Sequence, residues 1–188
     1  MKVAWVGVGV MGRHMCSHLM AAGHKASVFS RTASKCDELV AKGAHLASSP
    51  REAAEGADIA FTMVGAPSDV ESVTLGDHGV LAGLKPGAIL CDMTTSTPSL
   101  AITVAAWAAA QGVNAIDAPV SGGDIGAEAG TLSIMCGGSK TAFDGALPLL
   151  ELMGKNILHM GAPGAGQHTK VRMNDMRGSG GACGRLVV

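Results

Sequence analysis

Gly7-Val8-Gly9-Val10-Met11-Gly12 follows the apolar run Val3-Ala4-Trp5-Val6 and opens a patterned segment from Met11 to Met20. That order predicts a buried strand, a tight turn and a helix. In such a turn Gly7 lets the chain reverse, Gly9 lets the backbone approach a pyrophosphate, and Gly12 lets the helix pack closely on the strand. The charge of a dinucleotide then faces the N–H groups and positive dipole end of the helix, so no basic side chain is needed. Among 27 glycines the spacing alone is a weak signal. Its place between a strand and a helix gives it weight.

Working outward, Gly23-His24 closes the helix and Ala26 to Phe29 predicts a second strand, which completes a βαβ unit. The residues after that strand choose the cofactor. NAD sites place Asp or Glu there for the ribose 2′-OH, whereas this chain has Ser30-Arg31-Thr32, with Lys35 a turn later. A guanidinium suits a 2′-phosphate bidentately and Thr32 adds a hydroxyl, so NADP (NADPH) is favoured over NAD; a solvated arginine is the alternative.

Further along, a helix is expected over Ala33 to Lys42, and Ser49-Pro50-Arg51-Glu52 has the residues of a helix start. Strands are expected at Ala57 to Val64, Ala88 to Cys91, Val113 to Asp117, Thr131 to Cys136 and Asn156 to Met160. Helices fall between them at Pro67 to Leu75, from Ser99, and at Thr141 to Met153. This alternation implies an α/β fold with a Rossmann-type doubly wound, mostly parallel sheet. Three loops lie at the carboxyl edge, where open α/β sheets bind ligands. They are Met63 to Pro67, the hydroxyl-rich Asp92 to Pro98, and Ala118-Pro119-Val120-Ser121-Gly122-Gly123. The last either holds a small carboxylate on backbone N–H groups and the Ser121 hydroxyl, or is a tight loop with a capping serine.

Composition narrows the classes. At 188 residues the chain has room for one core and the start of a second domain. A formal charge of −1 leaves no basic footprint for nucleic acid. The alanine-rich stretch Ala101 to Ala110 is too short and weakly apolar to span a membrane. Five scattered cysteines without C-x-x-C spacing suggest neither disulfides nor zinc, and with no leader the expectation is cytoplasmic. His14 and His18, four apart, lack the glutamate and third ligand of a metal site; they are expected at the surface, and no metal is expected.

Gly164-Ala165-Gly166-Gln167-His168-Thr169-Lys170 leads into a last helix, where Lys170 and Asn174 share a face. Carbonyl reduction builds negative charge on oxygen, which a positioned ammonium stabilises and protonates while a nearby amide orients the substrate. Lys170 is therefore the candidate acid and Asn174 its companion, although a lone helix lysine is commonly just a solvated charge.

Taken with Ser30-Arg31-Thr32, Asp92-Met93-Thr94-Thr95, Asp117 to Gly123 and the Gly164-x-Gly166-x-x-x-Lys170-x-x-x-Asn174 pattern, the glycine turn resembles the β-hydroxyacid dehydrogenases, the 3-hydroxyisobutyrate dehydrogenase family. Ser30 to Val40 and Gly130 to Gly138 are most similar to its glyoxylate/succinic semialdehyde reductases. The resemblance implies Lys170 as the catalytic residue, with Ser121, Gly122, Gly123 and Asn174 on the substrate. It also implies that Met63, Val64 and Thr95 line the cofactor beside Gly7, Val8, Gly9, Val10, Met11, Gly12, Ser30, Arg31 and Thr32. The implied organisation is an NADP-binding domain over residues 1–163 and, at 164–188, the start of an interdomain helix and a helical C-terminal domain.

Family members continue into an all-helical domain that closes the site and builds the homo-oligomer, whereas this chain stops at Val188. The tail from Arg177 to Gly184 is glycine-rich, and each glycine costs about 1 kcal/mol against alanine in a helix, so fraying is expected after Met176. Two functions are carried forward. One is an NADPH-dependent reductase of a small aldehyde acid, without nucleic-acid or membrane partners; the other is a catalytically weak NADP-binding module.

Overall fold

The structure, a computed structural model, describes residues 1–178. Strands β1 (Lys2–Val6), β2 (Lys25–Phe29), β3 (His45–Leu46), β4 (Ile59–Thr62), β5 (Ile89–Asp92) and β6 (Asn114–Asp117) form the parallel part of one sheet. Beyond them, β8 (Leu132–Gly138) runs antiparallel to β6 and to the short β7 (Val120–Ser121), and β9 (Gly154–Gly161) pairs parallel with β8. The parallel strands lie in the order β3-β2-β1-β4-β5-β6. This is the doubly wound Rossmann arrangement, and its order reverses between β1 and β4, where such sheets open a crevice.

The helices are α1 (Gly12–Ala21), α2 (Asp37–Ala41), α3 (Pro50–Ala54), α4 (Pro67–Leu75), α5 (Val80–Gly83), α6 (Pro98–Ala110), α7 (Gly123–Ala129), α8 (Lys140–Leu150) and α9 (Ala165–Gly178). Strand alternation divides the core in two. Val3, Trp5, Ile59, Phe61 and Cys91 face a layer of large side chains that includes Met15, Leu19, Leu149 and Leu150. On the other face Ala4, Val6, Ala60 and Leu90 meet the small residues Ala53, Ala54, Val104 and Ala108. Trp5 and Phe61 stack with centroids 5.3 Å apart. Burying side chains of this size stabilises the fold by about 1.5–3 kcal/mol each.

Register is what builds the site. Val6 lies opposite Phe29 on one side and Thr62 on the other; Thr62 lies opposite Asp92, and Asp92 opposite Asp117. The last rung of the parallel sheet therefore reads Phe29, Val6, Thr62, Asp92, Asp117, and the residues that follow leave the sheet side by side.

Several expectations need correction. Ala33 to Lys42 is not one helix: a 3-10 turn over Ala33–Cys36 precedes α2, with no side-chain cap at Thr32 and with Cys36 and Leu39 turned into the core. The loop from Ala118 to Gly123 contains β7, and α7 starts at the Gly122 cap without a side-chain cap, so Ser121 is not its capping serine. Helix α8 ends at Leu150 rather than Met153. His18 is not a solvated surface histidine; its Nε2 donates to the carbonyls of Ala127 and Glu128, each at 3.0 Å, which ties α1 to the carboxyl end of α7. Helix α9 runs past Met176 to Gly178, and the glycine-rich tail beyond lies outside the described residues. The capping serine was correctly placed: the Ser49 hydroxyl accepts from the N–H of Glu52 at 3.1 Å. No helix among the described residues is long and apolar enough to cross a membrane, and these residues contain no cluster of potential metal ligands.

Candidate functional site

The glycine turn leaves β1 with Gly7 at φ 103°, its N–H donating to the carbonyl of Phe29 at 2.9 Å. A Cβ on Gly7 would stand 2.1 Å from the Met63 carbonyl oxygen, and one on Gly12 would stand 2.2 Å from the Gly7 carbonyl oxygen. Gly9 differs, because a Cβ there would meet nothing within 4 Å. Two glycines thus let the chain pack on itself, while the third faces open space at the start of α1. A cleft of about 410 Å³ opens there, lined by residues 6–12, 29–32 and 63–65 with Lys35. Helix α1 takes no side-chain cap and carries no acidic residue in its first turn, so its positive end suits an anion.

Of the residues expected at the cofactor, the structure brings Gly7 to Gly12, Ser30, Arg31, Thr32, Met63 and Val64 into this cleft. Arg31 is paired there, its Nη1 2.9 Å from Oδ1 of Asp69 on α4. Thr95, Ser121, Gly122, Gly123, Lys170 and Asn174 do not line it. Thr95 and Asn174 are exposed, Ser121 is half-buried and Lys170 is buried.

A second constellation occupies the polar end of the rung. Asp92 Oδ1 accepts from the Thr62 hydroxyl at 2.7 Å and from the Thr94 N–H at 3.1 Å, and the Thr94 hydroxyl accepts from the Val64 N–H at 3.0 Å. Asp117 Oδ1 accepts from Gly164 N–H at 2.7 Å and its Oδ2 from Gln167 N–H at 2.9 Å, so one carboxylate holds the entry to α9. The fully buried Gln167 amide completes the link: Oε1 accepts from Ser96 N–H at 2.8 Å and Nε2 donates to the Thr94 carbonyl at 2.7 Å. A Cβ on Gly166 would lie 2.3 Å from the Met135 carbonyl oxygen, so α9 starts directly against β8. Lys170 follows on the next turn of this fixed helix, which packs on β8, β9, β6 and α6.

Both carboxyls lie above the ordinary carboxylate range. Burial pushes Asp92 up to about 6 against the opposing hydrogen bonds from Thr62 and Thr94. Burial also raises Asp117, opposed by backbone N–H groups including those of Gly164 and Gln167. The cysteines described, Cys16, Cys36, Cys91 and Cys136, are free and buried, and burial raises each thiol.

The roles of Thr62, Asp92, Asp117, Gln167 and Asp69 were not anticipated from the sequence. The signal available was weak: an acid closing each of two parallel strands, Ile89–Asp92 and Asn114–Asp117, directly after apolar residues is buried and must find donors. Nothing local predicted that Gln167 or Asp69 would reach across from other elements.

The fold and cleft define a nicotinamide dinucleotide-binding domain of the Rossmann type. The family described as the NAD binding domain of 6-phosphogluconate dehydrogenase matches residues 2–161, and the chain belongs to that family. Among curated relatives it is 50% identical to a probable 3-hydroxyisobutyrate dehydrogenase-like 1, mitochondrial, from Arabidopsis thaliana, over 90% of this chain and 51% of the relative. It is 43% identical to an NAD-dependent L-serine dehydrogenase of Pseudomonas aeruginosa, over 93% of this chain and 59% of the relative. Among solved structures, Mycobacterium tuberculosis 3-hydroxyisobutyrate dehydrogenase with L-serine superposes with a TM-score of 0.86 at 36% identity, covering 92% of this chain and 58% of that one. The chain thus spans roughly half to three fifths of the length of these proteins.

Proposed function

We propose that the chain binds NADPH in the cleft beside β1 and serves an oxidoreductase that converts a small aldehyde acid, such as glyoxylate or succinic semialdehyde, to the hydroxy acid. The proposed division is an NADP-binding domain over residues 1–163 and, at 164–188, the start of an interdomain helix and C-terminal domain. The observation that carries this reading is the open face of Gly9 just after a strand whose neighbour is followed by Ser30-Arg31-Thr32. Gly7 to Gly12 would cradle the pyrophosphate, and Arg31 with Thr32 would take the 2′-phosphate. Met63, Val64 and Thr95 would border the rest of the cofactor. One relative is named NAD-dependent, so the preference for NADPH rests on Arg31.

NADPH supplies the hydride when bound. Lys170 would then donate a proton to the substrate oxygen as charge develops there, a role worth roughly 10²–10⁴-fold in rate. Asn174, the Ser121 hydroxyl and the backbone of Gly122 and Gly123 would orient the substrate and its carboxylate. The free thiols at the four described cysteines fit a reducing compartment, and we propose the cytoplasm.

The test is NADPH oxidation with glyoxylate or succinic semialdehyde, beside dinucleotide reduction with 3-hydroxyisobutyrate or L-serine. Turnover with the aldehyde acids that is abolished in Lys170→Ala supports the proposal. Activity confined to the two hydroxy acids would correct the substrate, and tight NADPH binding without turnover would favour a binding module instead.

A further inference from the structure

The partner of Arg31 lies on the opposite lip of the cleft. Arg31 follows β2 and Asp69 sits in the first turn of α4, after β4; β1 and its glycine turn lie between those strands. The 2.9 Å contact from Nη1 to Oδ1 therefore spans the cleft from one lip to the other. The carboxylate stands against the cleft wall: its Oδ2 lies 3.2 Å from where a Cβ on Gly65, a lining residue, would be. The two partners are unequally held, with the Arg31 side chain 77% exposed and that of Asp69 only 23%. The arginine has room to turn toward a ligand, while the carboxylate stays on its helix.

An exposed pair of this kind is weak, and a dianionic phosphate outcompetes one carboxylate for the guanidinium. Once displaced, the carboxylate remains close to the phosphate and repels it. NADH lacks the 2′-phosphate and leaves the pair closed. We propose that Asp69 is a selectivity residue, which holds the Arg31 guanidinium against the opposite lip and so lowers the preference for NADPH over NADH. This rests on the assignment of Arg31 to the 2′-phosphate made above.

The test is calorimetric titration of the full chain with NADPH and with NADH, in wild type, Asp69→Asn, Arg31→Ala and the double variant. Asp69→Asn is expected to tighten NADPH about fivefold, to move NADH less than about twofold, and to lose part of the gain at high salt. In the Arg31→Ala background the gain should shrink to the part that comes from relieving direct repulsion of the phosphate. Asp69→Ser, which keeps a hydroxyl in the first turn of α4, must reproduce the pattern if the lost charge is the cause. NADPH affinity unchanged or weakened by both Asp69 variants, with Arg31→Ala still weakening NADPH, would overturn the role of Asp69 alone. No effect of Arg31→Ala would instead overturn the assignment of Arg31, and this proposal with it.

Discussion

The rung Phe29, Val6, Thr62, Asp92, Asp117 changes character at its midpoint. On the β2–β1–β4 side the strands end in apolar or small residues, and the cleft is made by what is missing: side chains on Gly7 and Gly12 that could not fit, and one on Gly9 that would occupy open space. On the β5–β6 side the strands end in carboxylates, and order comes from buried hydrogen bonds that join Thr94, Ser96, Asp117, Gly164 and Gln167 across long stretches of sequence. One side is built by close approach within a short segment. The other is built by polar groups that must all be satisfied together, and it fixes the helix that carries Lys170. The two sides should therefore fail independently.

The sharpest separation is expected from Lys170→Ala. Turnover should fall roughly 10²–10⁴-fold while the affinity for NADPH is unchanged. Steady-state kinetics beside calorimetry check this, and a parallel loss of cofactor affinity would show that the two sides are coupled.

Next in size is Asp117→Ala, which leaves the N–H groups of Gly164 and Gln167 without their acceptor. A buried unsatisfied donor costs about 1–3 kcal/mol, so for two donors a loss of roughly 2–6 kcal/mol in urea unfolding is expected. Asp117→Asn, which keeps one acceptor oxygen, should lose about half as much. Equal losses would mean that shape and a single acceptor oxygen rescue nothing, and that both carboxylate oxygens are required together.

The same half of the rung should set a pH dependence of stability. Asp92 has a folded pKa of about 6 against an ordinary 3.8, so folding takes up a proton between those values. Its contribution is present below that window and is lost as pH rises through it, by an amount on the order of 3 kcal/mol at most. Asp92→Asn should reduce the slope, leaving the part of the same sign that comes from the raised Asp117, and raise stability at neutral pH. A slope undiminished by the substitution would assign it to other groups.

What was legible in the sequence follows the same division. Residues 7 to 12 carry their geometry in one short stretch, and each glycine excludes or admits space in a way that the spacing, placed between a strand and a helix, predicts. The mostly parallel, doubly wound sheet also follows from the alternation of elements, whereas the order of its strands does not. Asp117 and Gln167 lie fifty residues apart, and Gln167 meets Ser96 at a separation of 71, so no local pattern could connect them. The Lys170 and Asn174 pair was visible as a helical spacing, but the burial of one and exposure of the other depends on how α9 sits on β8, β9 and α6. Arg31 was visible as a cation at a strand's end, whereas its pairing with Asp69 requires β2 and β4 to flank β1.

The last of these four effects bears most directly on the cofactor. Calorimetric titration of NADPH and NADH into wild type and Arg31→Ala should show a loss of about 1.5–3 kcal/mol for NADPH, the range for hydrogen bonds to charged groups, and almost none for NADH. An equal loss for both dinucleotides would contradict the placement of the 2′-phosphate at Arg31.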